Sequence, residues 1–111
     1  EPPFPAFYSG HSVQSSASAV VLADLYGDNF TLIDNSNLYR VRDTIRNIDF
    51  KARTFTSFSA IALESGQSRI LGGIHTQQDN EIGIAQGKIV GANINALKWR
   101  KPAIMSREIN F

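Results

Sequence analysis

Residues 78–97 read QDNEIGIAQGKIVGANINAL and carry the clearest helical pattern in the chain. Gly83, Gly87 and Gly91 recur every four residues and therefore share one helical face. A second, apolar face follows the same period: Ile82, Ala85, Ile89, Ala92 and Ala96. Because each glycine inside a helix costs about 1 kcal/mol relative to alanine, three in register predict that another helix approaches this one very closely.

A second helix is predicted from Ser9 to Tyr26, where Val, Ala and Leu residues recur with helical spacing. Either Ser9 or Ser12 could act as its N-cap, and Gly27 stands in the usual C-terminal position. A third helix is predicted from Thr54 onward, with Thr54 or Thr56 as its cap. Its apolar face is formed by Phe55, Phe58, Ile61, Ala62 and Leu63.

Glycines set the end of this third helix, because Gly66 could terminate it and Gly72-Gly73 breaks the pattern. Between the helix that ends at Tyr26 and the helix that starts near Thr54, residues 28–53 are rich in Asn and Asp and predict a loop with a short helix around 38–48. Five basic residues of this loop are expected on a solvated face: Arg40, Arg42, Arg46, Lys51 and Arg53.

The fold class predicted by these segments is all-α, with three helices, no strong strand pattern and no internal repeat. A glycine-striped helix and several apolar faces indicate the C-terminal helices of a larger helical bundle. Residues 1–97 would form this helical domain, and residues 98–111 would form a basic C-terminal tail.

Composition narrows the class of protein further. The chain has 111 residues, 42% of them hydrophobic, and a formal net charge of +1. This is too apolar for a disordered chain and too weakly charged for a general nucleic-acid binder. The absence of cysteine excludes disulfides and thiolate metal sites. No apolar run approaches the roughly 20 residues of a membrane span.

The first candidate site is Ser9-Gly10-His11, at the start of the helix predicted from Ser9 to Tyr26. The first turn of a helix offers free backbone N–H groups and the positive end of the helix dipole. Gly10 would allow an anion to approach the main chain closely. The segment therefore indicates an oxyanion cradle with an acid/base group beside it, although an ordinary capped helix start with an exposed His would look the same.

The second candidate site runs from Ser68 and Arg69 to His75 and Asp79. Arg69 offers a planar fork of donors that suits phosphate-like anions. If the last helix begins by His75, then His75 and Asp79 lie one above the other on one face. A carboxylate bonded to one ring nitrogen leaves the other as a nucleophile or ligand. The alternative is an ordinary helical i,i+4 pair with Arg69 at the surface.

Together, the two segments resemble the second and third signature motifs of the vanadium-dependent haloperoxidase and type 2 phosphatidic acid phosphatase superfamily. The second motif is Ser-Gly-His. The third is Ser-Arg, five residues, His, three residues, Asp, and Ser68, Arg69, His75 and Asp79 occupy its fixed positions. The flanking Pro2-Pro3-Phe4-Pro5 and Gly72-Gly73 resemble the soluble bacterial haloperoxidase branch. Phe4 stands where family chloroperoxidases carry Phe and bromoperoxidases carry His.

The resemblance implies a role for each matched residue. His75 would bond to the vanadium of a vanadate cofactor, or attack phosphorus in a phosphatase. Arg69, the Gly10 N–H and the Ser9 hydroxyl would hold the equatorial oxygens. His11 would be the acid/base group at the apical oxygen, and Asp79 would orient His75. Phosphate could occupy the same site, and the substrates would be hydrogen peroxide and halide, or a phosphate ester.

One family motif is absent. The superfamily's first motif, Lys, six residues, Arg-Pro, has no match in the 111 residues, and Lys98-Trp99-Arg100-Lys101-Pro102 has the wrong spacing and position. We therefore expect missing N-terminal helices to supply those two cations. A haloperoxidase is the first hypothesis, and an acid phosphatase with a His nucleophile is the close alternative. A non-catalytic, degenerate relative is a third, and a basic nucleic-acid module resting on residues 40–53 and 98–107 is a distant fourth.

Overall fold

A computed structural model describes residues 2–97 and Trp99. Three helices form a small bundle: α1 (Gly10–Tyr26), α2 (Phe58–Leu71) and α3 (Gln77–Ala96). Two short antiparallel strands, β1 (Leu32–Asp34) and β2 (Arg53–Phe55), pair between α1 and α2 along the chain. α1 packs against both other helices, whereas α2 and α3 contact each other much less. The predicted helical-bundle class is confirmed, with a small hairpin that the sequence did not predict.

The closest packing in the bundle is between α1 and the glycine face of α3. A Cβ atom at Gly87 would lie 1.8 Å from the Ser16 hydroxyl and 2.3 Å from the Val13 carbonyl oxygen. One turn further on, a Cβ atom at Gly91 would lie 2.7 Å from the Val20 Cβ. The close approach that the glycine spacing predicts is therefore confirmed, and the partner is α1 of the same chain.

Three serines belong to the face of α1 that meets these glycines, together with Val13, Ala17 and Val20. Ser9, Ser12 and Ser16 are all buried. Ser16 donates a hydrogen bond to the Ile84 carbonyl oxygen at 3.0 Å, so a backbone acceptor of α3 satisfies its hydroxyl. Small side chains with satisfied hydroxyls allow two helix backbones to approach without leaving a buried polar group unpaired.

The large apolar residues of α3 lie mostly outside this contact. Of the predicted apolar face, Ala85, Ala92 and Ala96 are exposed, and Ile89 is 54% exposed. The buried apolar core is correspondingly small and consists of Ala19, Phe58, Ala62 and Ile84. The glycine face, for which the sequence predicted a close helix contact, is thus the buried side of α3, and most of the apolar stripe stays exposed.

The start of α2 differs from the prediction. Ser57, rather than Thr54 or Thr56, is the N-cap, and its hydroxyl accepts a hydrogen bond from the Ala60 N–H at 3.0 Å. Residues 53–55 instead form β2, in which Leu32 pairs with Phe55 and Asp34 with Arg53. Gly66 is buried inside the helix, which continues to Leu71 and is capped by Gly72.

The short helix predicted around 38–48 is wrong, because this segment forms turns. An isolated bridge pairs Asp43 with Ile48, and the Asp43 carboxylate accepts hydrogen bonds from the Ile45 and Arg46 N–H groups at 3.0 and 3.1 Å. Such carboxylate-to-backbone bonds offer the chain an alternative to the helical hydrogen-bond pattern. All five basic residues of this loop are exposed, as predicted.

The loop is joined to the bundle at the start of α2. Asp28 accepts hydrogen bonds from the Ser59 hydroxyl at 2.6 Å and from the Ser59 N–H at 3.1 Å. The Ser59 hydroxyl, followed by the Ser59 backbone, holds the pKa of Asp28 below its usual 3.8. Phe30 stacks on Phe58 with ring centroids 5.0 Å apart, so the chain leaving α1 is fixed to α2 at two points.

No helix in residues 2–97 is long and apolar enough to cross a membrane. The predicted basic tail, residues 98–111, lies outside the described residues except for Trp99.

The glycine contact predicts a specific cost for an added methyl group. We expect Gly87→Ala to lower the free energy of unfolding by about 1–3 kcal/mol, because the new Cβ meets a backbone carbonyl that can move only if α1 moves. Gly10→Ala is the matched control, since nothing lies within 4 Å of its Cβ position. Urea unfolding followed by circular dichroism measures both, and equal stability of the two variants would contradict this packing.

The Asp28 contact predicts a dependence of stability on pH. Since the pKa is lowered in the folded state, the contact stabilises the protein above pH 3.8 and ceases to do so as pH falls through the folded-state pKa. We expect the melting temperature of Asp28→Ala to lie below that of the wild type at neutral pH. The difference between the two melting temperatures should disappear at acidic pH. The other carboxylates titrate in both proteins, so a difference of constant size would refute the role given to Asp28.

Candidate functional site

Ser9-Gly10-His11 lies at the N-terminus of α1, as predicted. Ser9 is the N-cap, is fully buried, and accepts a hydrogen bond from the Ser12 N–H at 3.3 Å. Gly10 and His11 follow in the first turn, and both are exposed. N–H groups of a first helical turn have no acceptor four residues back, so this end of α1 presents backbone donors to the side on which Gly10 and His11 lie.

The segment from Arg69 to His75 folds back on itself at the end of α2. The Arg69 carbonyl oxygen accepts hydrogen bonds from the Ile74 N–H at 3.0 Å and from the His75 N–H at 3.3 Å. Gly73 makes this reversal at φ +75°, a conformation that a side chain disfavours. The main chain therefore holds the backbones of Arg69 and His75 together, although five residues separate them.

Arg69 carries a polar atom that lacks a partner. Its Nε is buried and makes no hydrogen bond among the described residues. A buried unsatisfied donor costs about 1–3 kcal/mol, and native proteins seldom retain one without a reason. A guanidinium in this condition indicates an acceptor other than the atoms of the described residues, and an oxyanion has the required chemistry.

His75 is buried, and its Nδ1 lies 3.4 Å from the Asp79 Oδ2. The contact does not arise from a shared helical face, because α3 begins at Gln77 and His75 precedes its cap, Thr76. The condition for a shared helical face, a helix start by His75, is therefore not met, and α3 begins close to the start that the sequence pattern predicts. Asp79 nevertheless reaches His75, because the capping arrangement turns its carboxylate back over the end of the helix.

This arrangement is a capping box between Thr76 and Asp79. The Asp79 N–H donates to the Thr76 hydroxyl at 3.2 Å, and the Thr76 N–H donates to the Asp79 Oδ2 at 3.1 Å. The oxygen that faces His75 is thus also fixed to the backbone. Negative charge at this position is favoured by the helix dipole as well.

One backbone hydrogen bond joins the two candidate segments. The Ser9 N–H donates to the Asp79 carbonyl oxygen at 3.1 Å. Ser9, Asp79, His75 and Arg69 therefore belong to one connected set of contacts at the ends of three helices. His11 stands two residues from Ser9 with an exposed side chain, and the described contacts do not join it to His75 or Arg69.

Three residues at this site were not predicted. Thr76 had a local signal, because Thr-x-x-Asp before a helix is a capping-box pattern. For Ser12 and Asn80, no local sequence pattern indicated that the two side chains would meet. The Ser12 hydroxyl donates to the Asn80 Oδ1 at 2.5 Å, and only the folded chain brings these residues together.

Comparison with known proteins identifies the family of this chain. A family model described as VCPO second helical-bundle domain, where VCPO denotes vanadium chloroperoxidase, matches residues 1–100. The chain belongs to this family. The match covers the whole helical bundle and both candidate segments, so the resemblance stated from the two motifs is confirmed.

A solved structure gives the same result. The crystal structure of the first bacterial vanadium-dependent iodoperoxidase matches with a TM-score of 0.69 and 41% sequence identity. The match covers 86% of this chain and 22% of that chain, so the present chain spans about a fifth of the iodoperoxidase. A search of the curated proteins gives no significant match. The chain thus resembles part of a vanadium haloperoxidase.

The capping box predicts a role for the exposed Thr76. We expect Thr76→Ala to lower the free energy of unfolding by about 1 kcal/mol, since the Asp79 N–H loses its acceptor. Thr76→Ser keeps the hydroxyl and should retain nearly all of that stability. Urea unfolding compares the two variants, and the NMR signal of the His75 ring should shift in Thr76→Ala alone. The assignment fails if serine and alanine have the same effect.

Proposed function

We propose that this chain carries the vanadate-binding residues of a haloperoxidase that oxidises halide with hydrogen peroxide. The observation that carries the proposal is the unpartnered, buried Nε of Arg69, on a guanidinium whose backbone is bonded to that of His75. Family membership and the likeness to an iodoperoxidase support the same reading.

The residues present fit an oxyanion such as vanadate. Arg69 supplies a donor that has no acceptor within the described part of the chain, and the first turn of α1 supplies backbone N–H groups at Gly10 and His11. The Ser9 hydroxyl accepts from Ser12, so its own proton is available for donation. In the proposal, Arg69, Gly10 and Ser9 hold the oxygens, and the His75 ring nitrogen that faces away from Asp79 binds the vanadium.

Asp79 and the Thr76 backbone prepare His75 for this role. Because the Asp79 Oδ2 is fixed by the Thr76 N–H, it can accept the Nδ1 proton of His75 and so set the tautomer of the ring. The Nε2 atom then carries a lone pair. Asp79 is a positioning residue in this proposal, since its carboxylate acts through His75.

His11 is the proposed acid/base group. It lies in the first turn of α1, next to the residues proposed to hold the oxygens, and its exposed imidazole can exchange protons with water. His11 would hold the proton at the oxygen that faces the substrates. Bound vanadate would supply a Lewis acid that activates peroxide without changing oxidation state.

The cations of the first family motif would come from elsewhere in a larger polypeptide. The 111 residues contain no Lys-x6-Arg-Pro, and the chain spans about a fifth of the iodoperoxidase it resembles. We propose that additional N-terminal helices supply these charges and cover the exposed apolar side of α3. Residues 1–97 would be one part of that helical domain, followed by a basic tail over 98–111. Alone, the 111 residues should bind vanadate weakly and turn over little.

A second candidate is a degenerate relative without catalytic activity. Finding a Lys-x6-Arg-Pro segment in the same open reading frame, upstream of Glu1, would count against it. A phosphatase would use the same anion-binding residues, with His75 as the nucleophile and His11 as the proton donor, and the activity assay below separates it from a haloperoxidase.

The activity assay uses the complete polypeptide that contains this chain. With vanadate and hydrogen peroxide, we expect it to iodinate a phenol-type dye. Iodide is the first halide to test, because it is the easiest to oxidise. Hydrolysis of a phosphate ester without vanadate, with no halogenation under any condition, would replace the haloperoxidase by a phosphatase.

Two substitutions separate the proposed roles. His75→Ala should abolish turnover and vanadate binding, because it removes the proposed ligand. His11→Ala should lower turnover by about 10²–10⁴-fold while largely sparing vanadate binding, since it removes only an acid/base group. ⁵¹V NMR measures the binding, and dye iodination measures the turnover. Retained turnover in His75→Ala would contradict its assigned role.

A further inference from the structure

A buried pair of polar side chains lies directly behind the candidate site. Ser12 is fully buried and Asn80 is 7% exposed. The Ser12 hydroxyl donates to the Asn80 Oδ1 at 2.5 Å, which joins the first turn of α1 to the first turns of α3. A hydrogen bond of this length between buried side chains holds its two partners firmly in place.

Two glycines enclose the pair. A Cβ atom at Gly66 of α2 would lie 2.1 Å from the Asn80 Oδ1 and 3.0 Å from the Ser12 hydroxyl. A Cβ atom at Gly83 of α3 would lie 2.9 Å from the Ser12 Cβ. All three helices therefore meet at this hydrogen bond, and there is no space for a further methyl group beside either side chain.

Each member of the pair is next to a candidate site residue. Ser12 directly follows His11, and its N–H is bonded to the Ser9 hydroxyl. Asn80 directly follows Asp79, whose carbonyl oxygen accepts from the Ser9 N–H and whose carboxylate faces His75. The Ser12–Asn80 bond thus connects the turn that carries His11 to the turn that orients His75.

We propose that Ser12 and Asn80 are a positioning pair that fixes where His11 lies relative to His75. This inference rests on the proposed function and extends it to two residues outside the family motifs. Loss of the bond would let the first turn of α1 move against α3, and displacements of about 1 Å are enough to impair a reactive arrangement. Neither residue would touch the anion itself.

The bundle contains a matched control for this role. Ser16 lies one turn along α1 on the same face, is also buried, and donates to the Ile84 carbonyl oxygen of α3 at 3.0 Å. Ser16→Ala therefore removes the same chemical group from the same interface, further from the site. A purely structural role predicts that Ser12→Ala and Ser16→Ala behave alike.

The experiment uses the fact that the chain has two histidines. Protein labelled with ¹³C at the histidine rings gives one signal set for His11 and one for His75. Inorganic phosphate is the probe, because it has the tetrahedral oxyanion chemistry proposed for the site. Far-UV circular dichroism first establishes that each variant is folded, and Asn80→Ala tests the other half of the pair should Ser12→Ala not fold.

In the wild type, added phosphate should shift the NMR signals of both His11 and His75. Both shifts should follow the same dependence on phosphate concentration. In Ser12→Ala and Asn80→Ala, the shift of His11 should fall to less than about half, while His75 retains most of its shift. Ser16→Ala should match the wild type. The positioning role is overturned if both histidines keep their wild-type shifts in Ser12→Ala, or if Ser16→Ala has the same effect. No response of either histidine in the wild type would overturn the anion site, and this inference with it.

Discussion

The contact between the serine face of α1 and the glycine face of α3 is the constraint on which the other features depend. Without Cβ atoms at Gly83, Gly87 and Gly91, the backbone of α1 approaches α3 closely enough for serine hydroxyls to bond α3 acceptors directly. This approach sets the start of α1 beside the start of α3, where the Ser9 N–H meets the Asp79 carbonyl oxygen. The candidate site lies at that junction, so its geometry is a consequence of the helix packing.

The same constraint explains the unusual distribution of apolar residues. Two helices that meet through small residues leave large ones facing away, and the sides of α1 and α3 form an open apolar groove lined by Val13, Ala17, Val21, Leu22, Val90 and Ile94. Burial of such surface is a main source of folding free energy. The exposure of this apolar surface is consistent with the finding that the chain spans about a fifth of the iodoperoxidase it resembles.

Helix ends supply the chemistry of the candidate site. The cap of α1, the last turn of α2 and the first turn of α3 contribute Ser9, Arg69 and Asp79, and the turn after α2 contributes His75. Helix N-termini carry unsatisfied N–H groups and a positive dipole, so the backbone there adds to the attraction that charged side chains exert on an anion. Asp79 connects these parts, because its carbonyl oxygen bonds Ser9 while its carboxylate bonds Thr76 and faces His75.

The sequence by itself determined the three helices, their close approach through Gly83, Gly87 and Gly91, and the two motif segments, because helical period, glycine spacing and motif spacing are local properties of a chain. It failed where a distant partner decides the outcome. Residues 53–55 form a strand because β1 pairs with them, and Thr54 is therefore no helix cap. Only the packing of the helices shows that the serines of α1 are buried, that Ser12 meets Asn80, and that the buried Arg69 Nε makes no hydrogen bond to any residue the structure describes. Each of these depends on atoms that are far apart in sequence and that only the packing of the helices brings together.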